Sequence, residues 1–598
     1  MKQPIAHNFH IPIMGVCFTL DSPFKVAQYG ISSAISLGDD GLMETMREFY
    51  CKKLTIPFVP ITNKEEDHRA KRITAYLNVM DFAVKQKFEQ LRNSAFEENS
   101  ELVKYLEMLP EYSELKQRYS EVTKDEESRI EAQNWIREHL IAGSIDVNIM
   151  TKLDKPNFNG KEQLPIEFNE GHAAVRGYAN STLHSSIILS AGLNPRLYSY
   201  IENFNDFYPD SNGYIKKKIT LKVSDYRSAY VQGMFFAKKG LWVSEYRIES
   251  GLNCGGHAFA TDGHLMGPIL KEFKKNREEL ILSTFKLVNK SLEEKGRQIF
   301  LSTPELKITA QGGVGTSEEH NFLIDHYQLD SIGWGTPFLL VPEASSVEEK
   351  TMKLLIDAKE EDLYLSEISP IGVPFNSLRA NTKDIEKRKN IEAGKPGTKC
   401  TRKYLAYNNE YGELMCTASH QYQSRKIKEL QDKNLAEPDY KKQYDKIVNK
   451  SCICVGLGNS ILLANNLKPV EGDGVSICPG PNMAYFSKIS TLPEMVSHIY
   501  GRTNLITRTD RPNFFIKELG IYINYLQTKF EESELPYSDK EQKFFTSFVE
   551  NLNYGINYYR VLFSDLEKYF KNVQSDLLFE LEQFEKKLNL LETQYIGA

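Results

Sequence analysis

The stretch Ile308–Leu340, "ITAQGGVGTSEEHNFLIDHYQLDSIGWGTPFLL", decides the fold. It opens on a short apolar run, breaks at Gly312 and Gly313, and continues through Thr316, Ser317 and two glutamates, the signature of a helix start. Glycines there let backbone N–H groups face an anion, and the helix start adds its dipole. About twenty residues on, "DSIGWGTPF" repeats the arrangement with Gly333, Gly335 and Thr336. Two successive strand ends carrying glycines are how a closed barrel of parallel strands holds a phosphate after its last two strands.

Working outward, six more short apolar or β-branched runs precede this pair: "IPIMGV" (Ile11–Val16), "SSAISL" (Ser32–Leu37), "IDVNIM" (Ile145–Met150), "SSIILSA" (Ser185–Ala191), "ITLKVS" (Ile219–Ser224) and "LWVSEYRI" (Leu241–Ile248). With "LKITAQ" (Leu306–Gln311) and "DSIGWG" (Asp330–Gly335) they make eight. Near-continuous apolar strands alternating with helical stretches indicate a parallel sheet covered by helices. The expected fold is therefore α/β, a (β/α)8 TIM barrel over residues 1–63 and 142–345, with a doubly wound open sheet as the competitor. Residues 64–141 are charged, with Ile73, Leu77 and Phe82 near helical spacing, and read as a helical insertion that covers or packs on the barrel. Residues 346–510 read as a loop-rich extension carrying five cysteines. Residues 511–598 read as a helical region with aromatic stripes, which suit a core or a seam between copies of the chain.

Composition narrows the function classes. The 598 residues carry a net charge of -6, so neither nucleic acid nor an acidic membrane surface is an expected partner. No apolar run of about eighteen residues is present, so no membrane span is expected. The start "MKQPIAHNFHIPIMG" lacks a long apolar core and a small-residue cleavage site, so no secretion signal is expected. Eight cysteines in so long a chain do not resemble a secreted disulfide scaffold, and a cytoplasmic location is the expectation.

The segment "SGLNCGGHAFATDGHLMG" (Ser250–Gly267) directly follows a strand-like run. Gly255 and Gly256 let backbone approach a ligand closely, and His257 can move a proton near neutral pH. His264 reads as a surface or supporting residue, and Cys254 as a small buried residue or a redox-active thiol.

Four of these motifs, in this order, resemble the nitronate monooxygenase family of FMN-dependent TIM barrels: "IPIMGV", "IDVNIM", "GLNCGGHAF" and "QGGVGT" with "GWGTPFLL". The third has Asn253 and Cys254 where the family carries Glu and Ala. The resemblance spans about Pro12 to Ser345 without the insertion. It implies FMN held by Met14, Gly15, Asn148, Lys222, Gly255, Gly256, Gly312, Gly313, Gly333, Gly335 and Thr336. It implies that His257 is the proton-transfer residue facing the flavin, acting on a small-molecule carbon acid such as a nitroalkane.

Five cysteines fall between Cys400 and Cys478, in "GTKC", "LMCTAS", "SCICVG" and "SICPGPN". Thiolates in turn-rich segments can ligate an iron–sulfur cluster or zinc. Cys400, Cys416, Cys454 and Cys478 are the candidate ligand set for a 4Fe-4S cluster, with Cys452 in reserve, and zinc or ordinary thiols are the alternatives. The expected activity is thus an FMN-dependent oxidoreductase of the nitronate monooxygenase type. The alternatives are a flavin and iron–sulfur reductase of an activated alkene, fed by NAD(P)H or a ferredoxin-like donor, and a non-catalytic flavin-fold assembly protein.

Overall fold

Eight parallel strands close on themselves in the computed structural model, which describes residues 6–121, 126–160, 162–190, 192–565, 569 and 573–597. The strands are β1 (Phe9–Ile11), β2 (Ser32–Ser36), β3 (Ile145–Met150), β4 (Ser185–Ser190), β5 (Lys217–Val223), β6 (Val243–Glu249), β7 (Lys307–Gln311) and β8 (Ser331–Gly333). Each pairs with its neighbour in sequence. β1 then pairs with β8, Phe9 opposite Ile332 and His10 opposite Gly333. That last pairing excludes the open doubly wound sheet, which would leave both edges free. Ile11, Ile35, Val147, Ile187, Leu221, Tyr246, Ala310 and Ile332 are all buried, as side chains packing a closed parallel barrel must be.

One strand lies earlier than expected. β1 ends at Ile11, and Pro12–Val16 leave it as a turn at the barrel mouth. Pro12 has no N–H to give the ladder, and Gly15 takes a φ of +59° that a strand does not use. Ala191, the last residue of the fourth expected strand, and residues 122–125 of the insertion lie outside the described residues.

The insertion is a packing layer. Its long helix, His68–Arg92, buries Ile73, Tyr76, Leu77 and Met80. Its Tyr76 hydroxyl donates to Leu20 O at 2.9 Å. Phe82 is on the outer face, 46% exposed, because the buried stripe runs through Met80 and Val84 instead.

Residues 346–510 are less irregular than their composition suggests. They contain the helices Glu349–Asp357, Thr382–Glu392, His420–Asp432 and Glu437–Asn449, and a hairpin of β9 (Leu363–Ser366) and β10 (Phe375–Leu378). Leu405, Ile453, Leu457, Ile477 and Met483 from this region join the hydrophobic core that contains the barrel strands. The aromatic stripes of the last helices, Phe514–Glu532, Asp539–Asp565 and Gln574–Tyr595, meet one another: Phe530 stacks on Tyr595 at 4.7 Å and packs at a tilt on Phe545 at 4.4 Å. Among the described residues no single helix is long and apolar enough to cross a membrane.

Candidate functional site

A cavity of about 460 Å³ lies where the strands of the barrel end. Met14 and Gly15 after β1, Asn148 on β3 and Lys222 on β5 line it. So do Gly255, Gly256 and His257 after β6, Gly312 and Gly313 after β7, and Gly333, Gly335 and Thr336 at β8. The sequence scatters these residues over some three hundred positions; barrel closure brings them to one mouth.

The first glycine turn has backbone that favours glycine, and open N–H groups cluster at both turns. Gly312 and Gly313 have φ of +125° and +83°, conformations open to glycine and costly for other residues. A Cβ on Gly313 would sit 2.0 Å from Asn253 Nδ2. The N–H groups of Gly313, Val314, Gly335 and Thr336 donate to no acceptor among the described residues. Val314 is buried and the other three are half-buried, and four open donors around one cavity suit a phosphorylated ligand. The helix start at Thr316 does not share this role. The Thr316 hydroxyl accepts Glu319 N–H at 3.3 Å, and Gly315 N–H is taken by Glu319 Oε2 at 2.9 Å. Arg511 then clamps that carboxylate from both sides at 2.7 and 2.8 Å.

Polar groups converge on the cavity floor. Lys222 Nζ pairs with Glu249 Oε2 at 2.8 Å, and Gln311 Nε2 donates to Glu249 Oε1 at 2.6 Å. Gln311 Oε1 is buried without a partner. The Asn148 side-chain amide makes no hydrogen bond among the described residues. An amide and a carboxamide oxygen left open toward one cavity can recognise the polar edge of a ligand.

His257 is held by the extension. Its Nε2 is 2.7 Å from the Ser369 hydroxyl, and Phe375 of β10 packs edge-on at 5.0 Å. The loop carrying it is stitched on both sides. Ala258 N–H donates to Pro374 O at 2.9 Å, Asn376 N–H to Gly256 O at 2.9 Å, and Gly256 N–H to Cys478 O at 3.2 Å. Asn376 Nδ2 adds a bond to Cys254 O at 2.6 Å. Burial, and then the charge of Lys222, push the His257 imidazole down to about 4, so it is neutral at physiological pH. His264 is exposed and does not line the cavity.

Ser369, Phe375, Asn376, Glu249 and Gln311 escaped the sequence reading, as did Arg69. The Arg69 guanidinium reaches the cavity from the insertion, tied to Asp40 at 2.8 Å and Glu170 at 2.7 Å. Glu249 and Gln311 end β6 and β7, and their position at strand C-termini was the available signal. Ser369, Phe375 and Arg69 come from segments with no motif around them.

The cysteines divide differently from the expected cluster. All eight are free thiols. Cys254, Cys454 and Cys478 line the cavity, while Cys400 and Cys416 do not reach it. Cys400 and Cys416 are neighbours that perturb each other's thiols in opposite directions, and Cys452 Sγ lies 3.6 Å from Cys454 Sγ. The Cys454 thiol, bonded to Cys452, pulls the Cys452 thiol down to about 6 against its burial. Among the described residues no group of three or more His, Cys, Asp or Glu side chains is placed to hold a metal ion, so the expected 4Fe-4S set gains no support. Cys478 lies in the segment that holds the His257 loop, its carbonyl accepting Gly256 N–H at 3.2 Å.

No family model and no curated protein matches this chain. Solved structures that it resembles include FabK from Thermotoga maritima, 14% identical with a TM-score of 0.29 over 69% of this chain and 91% of that one. Another is the enoyl reductase domain of MlnA from the macrolactin biosynthesis cluster of Bacillus amyloliquefaciens, 15% identical with a TM-score of 0.31 over 68% and 89%. A third is nitroalkane oxidase from Streptomyces ansochromogenes, 10% identical with a TM-score of 0.35 over 83% and 95%.

Proposed function

We propose that this chain is an FMN-dependent oxidoreductase in which His257 moves a proton on a small carbon acid of the nitroalkane type. The observation that carries the reading is the convergence of two glycine turns with free N–H groups, an unpaired Asn148 and a neutral His257 on one cavity. The residues fit FMN. Gly313, Val314, Gly335 and Thr336 would take its phosphate, and Asn148 and Gln311 the polar edge of its ring. When bound, the flavin supplies the electron acceptor.

The protein's part is then proton transfer and positioning. A base must be deprotonated and within reach of the proton it takes. His257 satisfies the first condition by its burial. Ser369 fixes Nε2, which leaves Nδ1 as the ring nitrogen that accepts the substrate's proton. Lys222, neutralised in part by Glu249, places positive charge where negative charge grows as the carbon acid ionises.

The test has two parts. Protein expressed with added riboflavin is denatured and its cofactor chromatographed; FMN is expected, and FAD or no flavin would overturn the reading. His257→Gln should keep its flavin and lose nitroethane oxidation by roughly 10²-fold or more, the usual scale of general-base loss. Unchanged turnover would remove His257 from the mechanism.

A further inference from the structure

Four thiols outside the proposed proton-transfer machinery are brought together from three separate segments. Thr398 and Ser419 form a parallel bridge, with Thr398 N–H on Ala418 O at 3.1 Å, which sets Cys400 beside Cys416. Gln423 Nε2 reaches both Thr417 O at 3.3 Å and Lys450 O at 3.1 Å, which ties that pair to the segment entering Cys452. Cys452 and Cys454 then stand with their sulfurs 3.6 Å apart, in van der Waals contact. The series runs from a partly exposed thiol inward to the cavity wall. Cys400 is half-buried, Cys416 and Cys452 are buried, and Cys454 is on the cavity wall.

We propose that these cysteines form a two-step dithiol relay that carries two electrons from an external dithiol to the cofactor cavity. The proposal rests on the flavin reading above, because a bound flavin is the terminal acceptor. The thiols sit in two pairs, and tetrahedral zinc or an iron–sulfur cluster needs three or four sulfurs around one centre. Among the described residues no such group exists. Two contacting pairs, one near the surface and one at the cavity, are what successive thiol–disulfide exchanges require.

The steps balance as follows. With both pairs oxidised, an external dithiol reduces the Cys400–Cys416 disulfide and leaves as its own disulfide. The Cys400 thiolate attacks the Cys452–Cys454 disulfide at the Cys454 sulfur, and Cys452, the thiol pulled down by its partner, departs as a thiolate and is protonated. Cys416 attacks Cys400 in this mixed disulfide, re-forms the Cys400–Cys416 bond and releases Cys454 as a thiol. The Cys452–Cys454 dithiol then gives two electrons and two protons to a bound flavin as its S–S bond closes.

The experiment uses the full chain, purified anaerobically with its flavin. Diamide, a two-electron thiol oxidant, is added and removed, free thiols are alkylated, and peptides are mapped by mass. Cys400–Cys416 and Cys452–Cys454 disulfides are expected. Reduced dithiothreitol is then mixed with the protein and flavin bleaching is followed. Cys454→Ser and Cys400→Ser should retain flavin and bleach roughly 10²-fold more slowly, since an alcohol cannot exchange with a disulfide. Bound flavin with neither disulfide, or bleaching as fast as wild type in either variant, overturns the relay and leaves the cofactor reading standing. Both disulfides with no flavin sinks the cofactor reading and removes the relay's acceptor. One equivalent of zinc or iron per chain also overturns it, since the thiols would then be ligands.

Discussion

His257 carries three predictions that one pH series can separate. A base pushed down to about 4 is unprotonated across the physiological range. Turnover should therefore be flat on the acid side down to near pH 5 and fall below it, where protonation removes the base. A fall centred on the ordinary histidine value of 6.5 would show a solvated ring. Burial is the larger cause and the Lys222 charge the smaller, so Lys222→Met should move that acid limb upward only part of the way. Ser369→Ala removes a bond of 2.7 Å and should cost about 1 kcal/mol of transition-state stabilisation, roughly a fivefold loss, with flavin content unchanged. At the phosphate end, Gly313→Val forces a branched side chain into the +83° conformation and onto Asn253 Nδ2. That variant should fold but purify without flavin, which its visible spectrum will show. Wild-type flavin content would mean that the turn is only a turn.

Among the elements, the β9–β10 hairpin matters most, because it hydrogen-bonds the glycine loop that carries His257. Asn376→Ala deletes the bond from Nδ2 to Cys254 O and leaves that carbonyl short of a partner, a loss of roughly 1–3 kcal/mol. Its melting temperature should drop, and its KM should rise more than its kcat falls, since the loop's resting position is what loosens. A variant with wild-type KM and melting temperature would show that the loop holds itself. The barrel strands were legible because each is a short apolar or β-branched run, most of them followed by turn residues such as Gly or Ser, and β1 alone was displaced, by Pro12. The hairpin was hidden for the opposite reason. "LYLS" and "FNSL" are four-residue strands around a proline-rich turn, too short to show a period. Glycines and His257 announced themselves as motifs, but Ser369 is an ordinary serine until folding sets it against the imidazole. The same limit separated Cys478 from Cys400 and Cys416: spacing in the chain does not say which thiols meet.

Across the molecule, buried histidines should dominate the acid limb of stability. Burial holds His7 and His257 at about 4 and His320 at about 3, and lowers His10 and His498 as well. An unfolded histidine binds its proton near 6.5 and these native ones do not, so stability is lost as pH falls from 6.5 toward 4. His7 and His257 each contribute roughly 3 kcal/mol to that loss. Glu518, raised by burial to about 7, works in the opposite direction through the same window but is outnumbered. Melting temperatures measured from pH 7.5 to 4.5 should fall steeply, and a flat profile would contradict the buried neutral state of these rings. A different consequence follows from the order in which the cavity's walls occur along the chain. The barrel's last strand ends at Gly333, but Cys478, Gly480 and Asn482 complete the mouth, with Gly480 N–H on the Thr336 hydroxyl at 3.0 Å. A ribosome needs roughly 10–30 s to add the residues between those points. During that interval a nascent barrel would present its phosphate turns without their cover, and afterwards a cofactor would have to wait for the extension to lift. FMN present during cell-free synthesis should therefore load the chain quickly, whereas FMN added to the finished apoprotein should load it slowly, at a rate that stops rising with FMN concentration.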